Sequence, residues 1–211
     1  MRGPGAHVRF SGIYGIVDAD RVAEPVAFCD ALLCAGLRVL QYRAKRGIDR
    51  GMLRALRART QAAGASLIVN DDLEAALEAD GWHAGQEDLA RHDISAIRAR
   101  LGQRIFGISA GVPAEARAAE AAGADYVGAG PFAATRTKAD AGAAIGPGGV
   151  RAVVAATRLP VVAIGGIGLQ NLAEAAACGA AMAAVISALA TAADPAAAAR
   201  AMIAAWPPGG A

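Results

Sequence analysis

The chain has 211 residues, enough for one sizeable core and just above the roughly 200 that a barrel of eight βα units needs. Its 21 basic and 19 acidic residues leave a formal charge of +2, too little to form a field for nucleic acid, and 4% aromatic content offers no base-stacking surface. Any anion site must therefore be local.

The first nine residues, MRGPGAHVR, lack the apolar core of a signal peptide, so a cytoplasmic protein is expected. Cys29, Cys34 and Cys178 show no metal-ligand spacing and read as small buried hydrophobes in a reducing compartment. The uncharged run from Ala175 to Ala193 has nearly the length of a membrane span, yet it is mostly alanine and is broken by Gly179, Ser187 and Thr191. A helix end, a strand from Met182 to Ile186 and a turn account for it, and no membrane association is expected.

In chain order, IYGIV forms a first strand that runs into Asp18, and a Pro25-led segment forms a helix stopped by Gly36. The second strand, LRVLQYRAK, ends in Gln41, Arg43 and Lys45, which share a face if the strand stays extended. A helix from Asp49 to about Ala63 carries Arg50, Arg54, Arg57 and Arg59 on a solvated face. The third strand, in SLIVNDD, ends in Asn70, Asp71 and Asp72, where a carboxylate either faces a cation or caps the next helix, and the strand alone does not decide which for Asp71 or Asp72. A short strand around Gly81 to His83 leads to the loop AGQEDL, a helix DISAIRARLG, and a strand RIFGIS ending in Ser109. The helix Pro113 to Ala122 and the strand DYVGAG follow, then a long polar loop, PFAATRTKADAGAAIGPGG, expected to be a mobile active-site loop. The helix Pro147 to Thr157, the strand LPVVAIGGI, the helix QNLAEAAACG, the strand MAAVIS and a helix from about Pro195 to Trp206 complete the chain.

Eight strand-like runs alternate with helical ones, and no composition shift marks a linker. The pattern implies one α/β domain over residues 1–211, a (β/α)8 TIM barrel with frayed ends near 1–9 and 207–211. An open doubly wound sheet is the alternative. On a closed barrel the polar strand ends meet around one mouth.

Two anion sites follow from that placement. The loops AIGGIG and AVISA, after the seventh and eighth strands, are where barrels often bind a phosphate monoester; Gly165 and Gly166 serve either a close backbone approach or a tight turn. The second site is cationic, with Arg43, Lys45 and Lys138 opposite Asp71 and Asp88. Basic groups and a Mg²⁺ held by carboxylates suit a diphosphate.

The ordered motifs QYRAK, VNDD, DGWHAGQEDL, GIS, GPFAATRTK, AIGGI and VIS resemble those of the thiamine-phosphate synthase family, one at almost every strand end. The resemblance implies that hydroxymethylpyrimidine diphosphate is joined to thiazole phosphate, giving thiamine phosphate and pyrophosphate with Mg²⁺ as cofactor. It implies a pyrimidine diphosphate site from Gln41, Tyr42, Arg43, Ala44, Lys45, Asn70 and Ser109, with Asp71 and Asp88 as Mg²⁺ ligands. Thr135 and Thr137 match contacts to the thiazole phosphate, Lys138 a diphosphate contact, and Gly166, Ile186 and Ser187 the thiazole's phosphate site, with Arg136 and Gly165 expected among the substrate-binding residues. Arg43, Lys45, Lys138 and Ser109 are the residues expected to assist the chemistry. Trp82 and Ala84 replace a more usual aliphatic pair, and Phe132 to Ala134 replaces isoleucine, phenylalanine and proline.

A thiazole tautomerase on the same barrel would need neither diphosphate nor Mg²⁺, and the retention of Arg43, Lys45, Asp71, Asp88 and Lys138 together argues against it. A non-catalytic phosphate-ligand sensor would keep the glycine site without a second cationic cluster. His83 is read as a packed, hydrogen-bonded residue. Small-molecule substrates are the expected partners, and a homo-oligomer is compatible with the apolar helix faces.

Overall fold

Runs such as IYGIV and LIV are too short for stable helices and rich in β-branched residues, so they pair as strands. The computed structural model describes residues 10–135 and 142–207. Its strands are β1 (Gly12–Asp18), β2 (Val39–Arg43), β3 (Ser66–Asn70), β4 (Gly81–Ala84), β5 (Ile105–Ala110), β6 (Tyr126–Ala129), β7 (Val161–Ile164) and β8 (Met182–Val185). They pair in parallel in sequence order, and β8 closes on β1 with Gly12 opposite Met182 and Gly15 opposite Val185. Closure excludes the open doubly wound sheet.

The outer layer, among the described residues, is α1 (Pro25–Ala35), α2 (Arg50–Ala62), α3 (Leu73–Ala76), α4 (Gln86–Leu89), α5 (Ile94–Leu101), α6 (Pro113–Ala121), α7 (Gly146–Val154), α8 (Leu172–Ala177), α9 (Ser187–Ala190) and α10 (Pro195–Ala205). Local chemistry sets their ends. Asp49, Asp72 and Asp194 accept from the backbone N–H groups of Met52, Ala75 and Ala197, each cap contributing about 1 kcal/mol. Pro25, Pro113 and Pro195 open their helices, and Gly36, left-handed at φ 111, closes α1.

Period-two alternation divides the apolar residues between two cores. Tyr14, Ile16, Val39, Ile68, Ile105, Tyr126, Val162 and Met182 fill the barrel, with Phe10 against Tyr126 at 5.0 Å between ring centroids. Val17, Leu40, Tyr42, Leu67, Val69, Trp82, Phe106 and Val127 face the helices. Trp82 is buried there, stacked on Phe106 at 5.5 Å and edge-on to His92 at 5.7 Å, and its indole N–H has no hydrogen-bond partner among the described residues.

Three expectations change. The uncharged run from Ala175 to Ala193 is the end of α8, then β8 and α9, so the expected turn is a one-turn helix. No described helix is long and apolar enough to cross a membrane. Cys29 and Cys178 are buried, but Cys34 is exposed. The face of α1 that packs inward carries Cys29, Leu32 and Leu33, and Cys34 lies round the helix from it. Finally, β2 ends at Arg43, so the extended path that would align Lys45 with Gln41 and Arg43 stops two residues short.

Candidate active site

At the carboxyl ends of the strands lies a cavity of about 200 Å³, lined by Gln41, Arg43, Asn70, Asp71, Ser109, Thr135, Gly165 and Ile186 among the expected residues. These come from β2, β3, β5 and the segments after β3, β6, β7 and β8, so closure brings together positions that are remote in sequence.

Arg43 is fixed by a residue the sequence reading gave no role. Register sets it opposite Asp18, and its Nη1 lies 2.7 Å from Asp18 Oδ2. The Asp18 carboxylate is fully buried; Arg21 Nε stands 3.6 Å from Oδ2, and the Asp20 N–H donates to Oδ1 at 3.1 Å. A buried carboxylate so bonded holds a guanidinium in one orientation. The signal was present in the sequence as a carboxylate ending an apolar strand.

The remaining QYRAK residues divide. Tyr42 points into the helix-side core and Ala44 packs against it. Lys45 is exposed; its backbone N–H donates to Asp20 Oδ2 at 2.8 Å, and its side chain is not part of the cavity wall.

Four side chains from separate strands join Gln41 in the cavity floor. Gln41 Nε2 donates to the Tyr14 hydroxyl at 3.0 Å, which lies 3.2 Å from the Tyr126 hydroxyl. Tyr126 reaches His83 Nδ1 at 2.8 Å, and His83 Nε2 lies 3.0 Å from Ser109 Oγ. Burial pushes both tyrosine hydroxyls above their ordinary pKa. His83 is thus packed and hydrogen-bonded, as expected. Tyr14 and Tyr126 were missed because an aromatic in an apolar strand reads as core. At the rim, Gln86 Nε2 donates to the Ser109 carbonyl at 2.5 Å and Glu115 Oε2 accepts from the Gly111 N–H at 2.6 Å.

A smaller recess beside the cavity is lined by Thr135, Gly165, Gly166, Ile167, Ala184, Ile186 and Ser187, uniting the residues expected to hold the thiazole's phosphate. Gly165 and Gly166 have φ 91 and 67. A Cβ on either would also stand 2.8 Å from Pro131 Cα or Ala133 O, so dihedrals and close approach both require glycine. The close neighbour is the segment after β6, bonded by Phe132 N–H to Ile164 O at 2.8 Å and Ala133 N–H to Gly165 O at 2.9 Å. Asn171 braces the turn, accepting from the Gly168 N–H and donating to Gly166 O. Arg136, Thr137 and Lys138, with part of the expected mobile loop, lie outside the described residues.

A family model described as thiamine monophosphate synthase matches residues 13–189, from β1 through α9. The chain belongs to that family. It is 44% identical to a thiamine-phosphate synthase of Herpetosiphon aurantiacus over 91% of this chain and 95% of the relative. It is 49% identical to one of Moorella thermoacetica over 80% and 81%. The solved thiamine phosphate pyrophosphorylase of Pyrococcus furiosus superposes with a TM-score of 0.83 at 33% identity, covering 93% of this chain and 96% of that one.

The family implies Mg²⁺, and the donor set can be tested against it. Asn70 ends β3, and Asp71 follows at φ 64, its N–H bonded to His83 O at 2.9 Å. That left-handed turn puts Asp71 at the cavity, while Asp72 is taken up by its cap. Asp88 stands behind the rim: its Oδ2 accepts from the Gly85 N–H at 3.1 Å and its Oδ1 lies 3.6 Å from Arg91, whereas Gly85 and Gln86 line the cavity. No group of three His, Cys, Asp or Glu able to hold a metal occurs among the described residues. Of the two expected ligands only Asp71 lines the cavity, and an ion such as Mg²⁺, which keeps waters and takes further ligands from substrate phosphates, asks for few protein carboxylates.

Proposed function

We propose that this chain joins hydroxymethylpyrimidine diphosphate to thiazole phosphate, forming thiamine phosphate and releasing pyrophosphate, as a cytoplasmic, Mg²⁺-dependent transferase. The observation that carries the reading is family membership across the barrel together with a mouth cavity where Gln41, Arg43, Asn70, Asp71 and Ser109 converge.

The chemistry is a dissociative substitution. The carbon–oxygen bond to the diphosphate breaks, the electron pair leaves with pyrophosphate, and the aminopyrimidine carries the positive charge on its exocyclic methylene. The thiazole nitrogen then attacks that carbon. No protein nucleophile takes part. Arg43, oriented by Asp18, gives a fixed positive charge beside the leaving group, and Lys138 adds to it. Gln41, Asn70 and Ser109 orient the pyrimidine, and the Gly165–Gly166 turn with Ser187 holds the thiazole's phosphate in line for attack. Mg²⁺, held by Asp71 and Asp88, would supply further neutralisation of the diphosphate.

The test is incubation of the protein with both substrates and Mg²⁺, following pyrophosphate and thiamine phosphate together. Equal amounts of the two are expected. Isomerisation of a thiazole phosphate without pyrophosphate release would make it a tautomerase instead.

A further inference from the structure

The chain of hydrogen bonds under the cavity runs in one direction only. Gln41 Nε2 carries hydrogens and no lone pair, so it donates to the Tyr14 oxygen at 3.0 Å. Among the described residues the remaining partner of Tyr14 is the Tyr126 hydroxyl at 3.2 Å, so the Tyr14 proton goes there. The Tyr126 oxygen is then occupied as acceptor, and its own proton goes to His83 Nδ1 at 2.8 Å. An imidazole that accepts at Nδ1 carries its hydrogen on Nε2, which donates to Ser109 Oγ at 3.0 Å. The opposite direction would leave the Tyr14 hydroxyl, which is 2% exposed, with no acceptor, a costly state for a buried donor.

We infer that Tyr14, Tyr126 and His83 are positioning residues that fix this direction and leave the Ser109 hydroxyl as a hydrogen-bond donor to the pyrimidine diphosphate. Had the chain run the other way, the single Ser109 proton would be spent on His83, and Ser109 could only accept. The direction therefore frees the Ser109 proton for an acceptor atom of the ligand, a ring nitrogen or phosphate oxygen. Burial supports the assignment, because it keeps both tyrosines protonated and able to donate. The inference rests on the proposed reaction for the identity of the ligand, whereas the direction of the chain is a property of the free protein.

Two measurements test it. In ¹⁵N-histidine-labelled protein, the His83 signals are those absent from His83→Gln; Nε2 protonated and Nδ1 bare is expected, and the reverse tautomer overturns the inference. In the second, binding of pyrimidine diphosphate with Mg²⁺ is measured by calorimetry without the thiazole substrate. Tyr126→Phe, which keeps the ring and removes the link, and Ser109→Ala should each weaken binding by about tenfold, and the double variant no further. Additive losses in the double variant overturn the inference, since Ser109 would then act independently of the chain. Failure of the wild-type protein to form thiamine phosphate, with these results intact, would count against the reaction alone.

Discussion

The Asp18 carboxylate, fully buried at the end of β1, holds the Arg43 guanidinium at 2.7 Å across the β1–β2 register. Removing one partner of such a pair strands the other without compensation. Asp18→Ala should therefore destabilise the barrel by about 3–5 kcal/mol in urea unfolding. Where it still folds, its affinity for pyrimidine diphosphate should fall. Arg43→Lys should lose activity with less loss of stability, because an ammonium cannot reproduce the fixed fork of the guanidinium.

Asp71 combines a carboxylate with a left-handed backbone, φ 64, so a test of the metal must separate charge from conformation. Asn tolerates that region better than Ala, and Asp71→Asn should keep the fold while losing Mg²⁺-dependent turnover. Circular dichroism and a Mg²⁺ titration of pyrophosphate release check the two halves. Wild-type turnover at wild-type Mg²⁺ would remove Asp71 from the metal site.

Lys138 is assigned to the departing diphosphate by resemblance alone. Its loss should slow the bond-breaking step by about 100-fold, the scale of removing one electrostatic stabiliser. Single-turnover kinetics of Lys138→Ala read that step directly, and an unchanged rate would assign the work to Arg43 and the metal.

The sequence revealed what depends on local pattern. An apolar strand that gives way to Gln41 and Arg43, or to Asn70 and Asp71, announces its carboxyl end, and alternating βα units place all such ends at one mouth. It did not reveal where pairing stops: nothing in QYRAK shows that β2 ends at Arg43 and leaves Lys45 exposed. Nor did it reveal meetings inside the barrel. Tyr14 and Tyr126 are 112 positions apart, and each alone resembles any core aromatic. Gly107 in a strand signals a close approach, but the neighbour is known only from the fold.

That neighbour is the Tyr126 ring. A Cβ on Gly107 would stand 2.1 Å from its Cζ and 2.4 Å from its hydroxyl. Gly107→Ala should cost about 1–3 kcal/mol as an overpacked core and should displace the Tyr126 link to His83. Gly148, in the first turn of α7, has open space around its Cβ position. Gly148→Ala should be neutral or stabilising by up to about 1 kcal/mol. Urea midpoints of the pair measure the contrast, and equal effects would show that Tyr126 can yield.

Alkaline pH tests the same buried hydroxyls. Tyr14 and Tyr126 have an ordinary pKa of 10.0, which burial raises in the folded chain. Above pH 10 the unfolded chain therefore releases protons that the folded chain keeps, so stability is whole below that value and falls as pH rises. Each such group contributes a slope of about 1.4 kcal/mol per pH unit. The buried Cys29 thiol, pushed from 9.0 to about 12 by burial and then by the Asp30 charge, starts the decline earlier. Urea unfolding from about pH 8 to about pH 11 should show stability falling with increasing steepness. Tyr14→Phe should lower stability at neutral pH by breaking the chain, yet flatten the alkaline slope by one group. An unchanged slope would mean that the Tyr14 hydroxyl ionises in the folded protein as readily as in the unfolded one.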